Sequence, residues 1–306
     1  MSSVSSSDSF GVPELTPALL NEIESLHFAA RNIATGALAG IHRSLRRGAS
    51  IEFSEHKLYT PGDDIRHIDW RAFAKTDRYH VKQFEDETNL RIELLIDHSG
   101  SMGFRGESSL SKLQYARALG AALTYLTLRQ GDSTGLVTFN QDTTTELPPR
   151  SNSSHLLEIL GRLTELRPDG ETGVASCIER FAQTRRKKTI AILLTDLLDP
   201  SPHLHTAFRQ LVASKHEVAV LHLLDPAEIE FSYESPAQFH SMEDSRQLFI
   251  HPRTIAPAYR KEMQRFLETT ASSMLGIGVD YQLIRTDTPP QNAISHFLRN
   301  RSRNVA

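Results

Sequence analysis

The stretch Ile92-Glu93-Leu94-Leu95-Ile96-Asp97-His98-Ser99-Gly100-Ser101-Met102 decides how this chain is read. Four aliphatic residues among the first five form a short apolar run, which reads as a buried strand. The run ends at Asp97, and Ser99 and Ser101 follow at alternate positions, on the loop just beyond the strand's carboxyl end. In open α/β sheets ligands bind outside that end. Three oxygen-bearing side chains gathered there suit a hard divalent cation such as magnesium or manganese.

Working outward, strands and helices alternate. Apolar runs predict strands at 91–97, 134–139, 188–195, 217–223 and 278–285, and a short strand over Tyr79–Phe84. Leu113, Ala116, Leu119, Leu123 and Leu126 mark one helical face between them. Leu156, Ile159, Leu160 and Leu163 mark a second, Tyr259, Met263, Phe266 and Met274 a third, and Pro290 to Arg301 a last helix. Leu19, Leu20, Ile23 and Leu26 predict an earlier helix between Pro13 and Gly36. This rhythm implies an α/β fold, a mostly parallel sheet with helices on both faces. Residues 1–12 read as a flexible tail and 13–88 as an N-terminal helix with an irregular segment packed on the sheet. Residues 89–306 read as the α/β domain. Within 225–255, Glu228, Glu230 and Glu234 interrupt the alternation, as an insertion or lid would.

Composition narrows the function classes. The chain has 306 residues, 39% of them hydrophobic, and a formal net charge of −3. That supports a substantial core and gives no electrostatic case for nucleic acid or an anionic membrane. Arg43, Arg46 and Arg47, and the run Arg185-Arg186-Lys187-Lys188, read as solvated surface. Cys177 is the single cysteine, so an intramolecular disulfide and a cysteine-based zinc cluster are both excluded. His203 and His205 fall on opposite sides of any helix and make no zinc pair. The serine-rich start does not resemble a secretory signal, and no run approaches the roughly 18 apolar residues of a membrane span. The expectation is a cytoplasmic protein with no membrane span.

Two more polar positions fall where a parallel sheet would bring them to Asp97. Thr172 lies in the loop Asp169-Gly170-Glu171-Thr172-Gly173, and Asp196 ends the apolar strand Thr189–Thr195. Each also has a structural reading: Thr172 as a helix cap, Asp196 and the Asp97 loop as turn chemistry. The series Asp97-x-Ser99-x-Ser101, Thr172, Asp196 resembles the metal-ion-dependent adhesion site (MIDAS) of von Willebrand factor A domains. The resemblance implies that Ser99 and Ser101 contact a magnesium or manganese ion directly and that Thr172 joins them in one state. Asp97 and Asp196 would act directly or through water, and an open position would accept a partner's carboxylate. One departure stands out, since Asp196-Leu197 replaces the usual Asp-Gly, with Asp199 two residues beyond.

Upstream, Arg46-Arg47-Gly48, Glu52-Phe53 and Tyr59-x-Pro61-Gly62-Asp63-Asp64-Ile65-Arg66-x-Ile68-Asp69-Trp70 lead toward the Asp97 strand. Over about residues 38–200 this succession resembles the bacterial domain-of-unknown-function family fifty-eight. Its members are von Willebrand factor A-like proteins often associated with MoxR-type AAA+ ATPases. Asp63, Asp64, Arg66 and Asp69 read either as an ion-pair network or as a partner-binding surface, and Trp70 as a core anchor or an exposed hot spot. The resemblance implies a non-enzymatic interaction module that docks a carboxylate-bearing partner on a metal ion, the partner being a MoxR-type ATPase or its client. The alternatives are a metal-dependent hydrolase or phosphatase using Asp97 and Asp196, and a scaffold that has lost its metal.

Overall fold

The computed structural model describes residues 24–34, 50–58, 80–87, 90–106, 108–199 and 201–304. The expected tail, the residues Leu19, Leu20 and Ile23, and the group Asp63, Asp64, Arg66, Asp69 and Trp70 lie outside the described residues. Ahead of the main sheet come helix α1 (24–34) and two strands, β1 (Ser50–Leu58) and β2 (His80–Glu87). These strands pair antiparallel, with a register shift between Phe53 and Glu55.

The main sheet is built on β3 (Arg91–Asp97), β4 (Ser133–Phe139), β5 (Thr144–Arg150), β6 (Ile190–Thr195), β7 (Glu217–Leu224) and, last in the chain, β10 (Asp280–Arg285). Its order is β10-β7-β6-β3-β4-β5. Every pairing is parallel except β4 with β5. The expected α/β class, a mostly parallel sheet with helices on both faces, is therefore observed. Strand succession runs outward from β3 to β5, then restarts on the other side with β6, so β3 and β6 flank the topological switch point.

The helices are α2 (Lys112–Arg129), α3 (Ser153–Glu165), α4 (Val174–Thr184), α5 (Leu204–Ala213), α6 (Pro226–Glu230), α7 (Pro252–Gly276) and α8 (Pro290–Asn304). Side-chain alternation along β3 feeds two cores. Leu94 and Ile96 pack with residues of α1, α2, α3 and α8, including Ala30, Leu119, Leu160 and Phe297. Leu95 faces the opposite layer with Val174, Phe181, Phe208 and Met274 from α4, α5 and α7. Each such aliphatic side chain contributes about 1.5–3 kcal/mol by leaving water. Glu93 interrupts the apolar run yet is fully buried, because Arg185 clasps it at 2.8 Å. Arg185 thus does more than line a solvated loop.

Besides β1, three strands escape a reading based on apolar runs. The edge strand β5, Thr-Thr-Glu-Leu-Pro-Pro-Arg, buries only Leu147 among its hydrophobics, and its two prolines are tolerated because an edge needs fewer ladder bonds. The other two, β8 (Ala237–His240) and β9 (Gln247–Ile250), form a short antiparallel hairpin inside the expected insertion. Cys177 is a buried residue of α4. Among the described residues no helix is long and apolar enough to cross a membrane.

Candidate functional site

Asp97 and Asp196 stand at the carboxyl ends of two adjacent parallel strands, and both are fully buried. The loop after β3 is tied by one backbone bond to the end of β4 and by two to the loop before α4. His98 N–H donates to Phe139 O at 2.9 Å, Gly100 N–H to Gly170 O at 2.8 Å, and Asp169 N–H to His98 O at 2.9 Å. Gly170 permits this path, since its φ of 68° is one that L side chains rarely adopt. The stitching carries Thr172 across to β3.

Asp97 is met entirely by neutral donors. Its Oδ1 accepts from Ser99 N–H at 2.9 Å, and its Oδ2 accepts the hydroxyls of Thr172 at 2.8 Å and Thr195 at 2.7 Å. Ser99 Oγ and Ser101 Oγ lie 3.2 Å apart. Thr172 therefore does not cap α4, where Gly173 is the capping residue and Asp199 accepts from Ala175 N–H at 2.9 Å. The Ser99–Asp97 bond is the turn chemistry expected as an alternative, and it coexists with the gathering of hydroxyls. Burial, and then repulsion from Asp196, push Asp97 up to about 6.

Asp196 meets a cation instead. Burial would raise its pKa, but the Lys112 ammonium, 2.8 Å from Oδ2, overrides that and holds the carboxyl below its ordinary value. Lys112 has a fully buried side chain and bonds Glu228 at 2.6 Å as well. Burial would strip its proton, and the two carboxylates hold it on. His222 finishes this side: burial pushes it down to about 4, so it is neutral. Its Nε2–H donates to Asp196 O at 2.8 Å, leaving Nδ1 to accept the Tyr281 hydroxyl at 2.6 Å. Leu197, where the resemblance expects glycine, sits at φ 53° with its side chain buried. Leucine holds this left-handed position at a cost in backbone strain and gains apolar burial in return.

The five expected residues Asp97, Ser99, Ser101, Thr172 and Asp196 thus come together. Sequence reasoning missed Thr195, Lys112 and Glu228. Thr195 had a signal: with Ile96 paired to Leu194, the next level of the register places Thr195 beside Asp97. Among the described residues no three Asp, Glu, His or Cys side chains form a metal-ligand group, so a cation here would rest largely on hydroxyls. The donor set suits a hard cation, being all oxygen, with charge on Asp97 that no basic side chain among its hydrogen-bond partners offsets. Such a cation would be held by Ser99 and Ser101, with Thr172 and Asp196 beside them and Asp97 orienting the Thr172 hydroxyl.

The chain is similar to several known proteins. The chain is 28% identical over 295 residues to the Uncharacterized protein Rv1480 of Mycobacterium tuberculosis, spanning 94% of this chain and 91% of that protein. The same figures hold for the Uncharacterized protein Mb1516 of Mycobacterium bovis. Among solved structures, the conserved hypothetical protein BatB from Bacteroides thetaiotaomicron matches with a TM-score of 0.45 at 17% identity, over 70% of this chain and 99% of that one. The von Willebrand factor A domain of SpRpn10 matches with a TM-score of 0.41 at 10% identity, over 70% of this chain and 95% of that one. A family model described as "Protein of unknown function DUF58" matches residues 55–271, farther toward the C-terminus than the resemblance at about 38–200. By that match the chain belongs to the DUF58 family.

Proposed function

We propose that the chain is a non-enzymatic interaction module that docks a partner's carboxylate on a magnesium or manganese ion held at Ser99 and Ser101. The observation that carries this reading is the convergence of Asp97, Ser99, Ser101, Thr172 and Asp196 at the switch point of the sheet. When bound, the ion supplies a Lewis-acidic point of attachment. Hydroxyl ligands are neutral and leave much of its charge unquenched, which favours an incoming Asp or Glu. Thr172 and Thr195 fix Asp97, and Asp97 in turn fixes Ser99 through its N–H. The partner would be a MoxR-type AAA+ ATPase or a client it remodels, with this chain as adaptor in the assembly of other proteins, in the cytoplasm. The occupation of His222 supports a binding role over hydrolysis, because both ring nitrogens are engaged and neither is free to activate water.

The test is capture of the ATPase encoded nearest this gene, with and without chelator. Magnesium should enhance capture, and Ser99→Ala should abolish the gain while circular dichroism stays unchanged. Capture indifferent to both would sink the reading, and phosphoester turnover lost in Asp97→Ala would replace it with the hydrolase.

One observation favours a second reading. The Lys112 ammonium already stands 2.8 Å from Asp196, as a resident cation would. In a metal-free module, capture would ignore chelator and fail in Lys112→Met.

A further inference from the structure

The hairpin of β8 and β9 lies over the candidate cation site. Its base is pinned by an aromatic cluster: Phe231 has ring centroids 4.5 Å from Tyr259, 5.3 Å from Tyr233 and 5.9 Å from Phe239. Its tip is a tight turn, closed by Ser241 N–H donating to Arg246 O at 2.9 Å. Ser241 Oγ accepts from the N–H of Glu243 at 3.3 Å and of Asp244 at 3.2 Å. That tip rests on the loop after β3. A Cβ added to Gly100 would lie 2.0 Å from Met242 O, so the glycine is what lets the two backbones meet.

The contact delivers Glu243 to the site. Glu243 lines a cavity of about 260 Å³ with Ser101, Phe104 and Glu228, and a second of about 330 Å³ with Glu171, Thr172 and Asp199. It therefore stands between the Ser101 side of the site and the Thr172 side. Its carboxylate takes hydrogen bonds from Ser101 and is repelled by Asp196 and Glu171. Its Oε1 is buried and has no hydrogen-bond partner. A buried carboxylate oxygen without a partner, held among other carboxylates, is costly unless a proton or a cation joins it.

We propose that Glu243 is an in-chain ligand of the cation site, occupying the coordination position that a partner's carboxylate would otherwise take. The hairpin then caps its own docking site, and a partner must displace the tip to bind. The inference rests on the cation-centred reading above and names its regulation.

The experiment is calorimetric titration of the full chain with manganese(II) alone, and again in excess acetate. The set comprises the wild type, Glu243→Gln and Asp244→Asn. Glu243→Gln keeps the side chain's shape and should weaken manganese binding by about tenfold, as loss of a supporting carboxylate does at metal sites. Acetate should restore much of that loss by entering the opened position, and should leave the wild type unchanged. Asp244→Asn, one residue away, should bind as the wild type does and controls for tip charge. Manganese binding in Glu243→Gln that equals or exceeds the wild type overturns the in-chain ligand and leaves the cation site standing. An equal loss in Asp244→Asn overturns it too, by reducing the effect to general charge. Failure of the wild type to bind manganese at all removes the cation reading, and the proposal with it.

Discussion

Asp97 and Asp196 are the same residue type, equally buried, at the ends of neighbouring strands, yet their surroundings are opposite. Asp97 is met by one backbone N–H and two hydroxyls, and its proton is held up to about 6. Asp196 is met by an ammonium and loses its proton more readily than usual. One half of the site therefore meets a cation within the chain, and the other half does not. The lesson is that strand ends fix where carboxylates stand, while the next helix decides which of them is left wanting a cation.

Removing the ammonium should have the largest effect. Lys112→Met keeps the apolar stem but leaves Asp196 and Glu228 without their shared charge. Breaking a buried pair from one side should cost about 3–5 kcal/mol, read by urea denaturation. Magnesium should then recover more stability in Lys112→Met than in the wild type, because the freed Asp196 joins the site. A variant as stable as the wild type would show that the two halves do not differ as the geometry indicates.

The two halves should also titrate against each other. Asp97 has a folded pKa of about 6 against an ordinary 3.8, so the folded state takes up its proton first and gains stability as pH falls from 6 toward 3.8. His222 has a folded pKa of about 4 against an ordinary 6.5, so the unfolded state takes up that proton first and stability is lost as pH falls from 6.5 toward 4. Each effect is worth about 3 kcal/mol, and they oppose each other over nearly the same range. Asp97→Asn removes the compensating half. Its stability should fall by about 3 kcal/mol more than the wild type's between pH 6.5 and 4. Parallel profiles for the two proteins would contradict the opposition.

What the sequence disclosed divides along the same line. Asp97, Ser99, Ser101 and Asp196 were legible because a buried strand announces its own end, and parallel neighbours bring such ends together. The main-sheet strands from Arg91 onward followed from the same apolar runs, β5 excepted. Lys112 was not legible: a lysine in the first turn of a helix runs against the helix dipole, and its partner Asp196 lies 84 residues away. Only the folded register makes sense of it. Glu243 was hidden for another reason, since the hairpin that carries it is short and half-exposed, although the break in rhythm around it was visible. The strand β5 was masked by Pro148 and Pro149, which argue against a strand everywhere except at an edge.

The smallest effect separates two threonines that look alike. Thr172 and Thr195 donate to the same oxygen of Asp97, at 2.8 and 2.7 Å. Replacing either by valine keeps the shape and removes one hydroxyl, so each should cost about 1–2 kcal/mol in urea denaturation. Their roles at the cation should differ. Thr195 lies within the sheet, whereas Thr172 sits on the loop stitched to the serines and lines the outer cavity with Glu243. Manganese affinity should therefore fall in Thr172→Val and hold in Thr195→Val. Equal losses in both would mean that Thr172 only steadies Asp97, and that the hydroxyl ligands are the two serines alone.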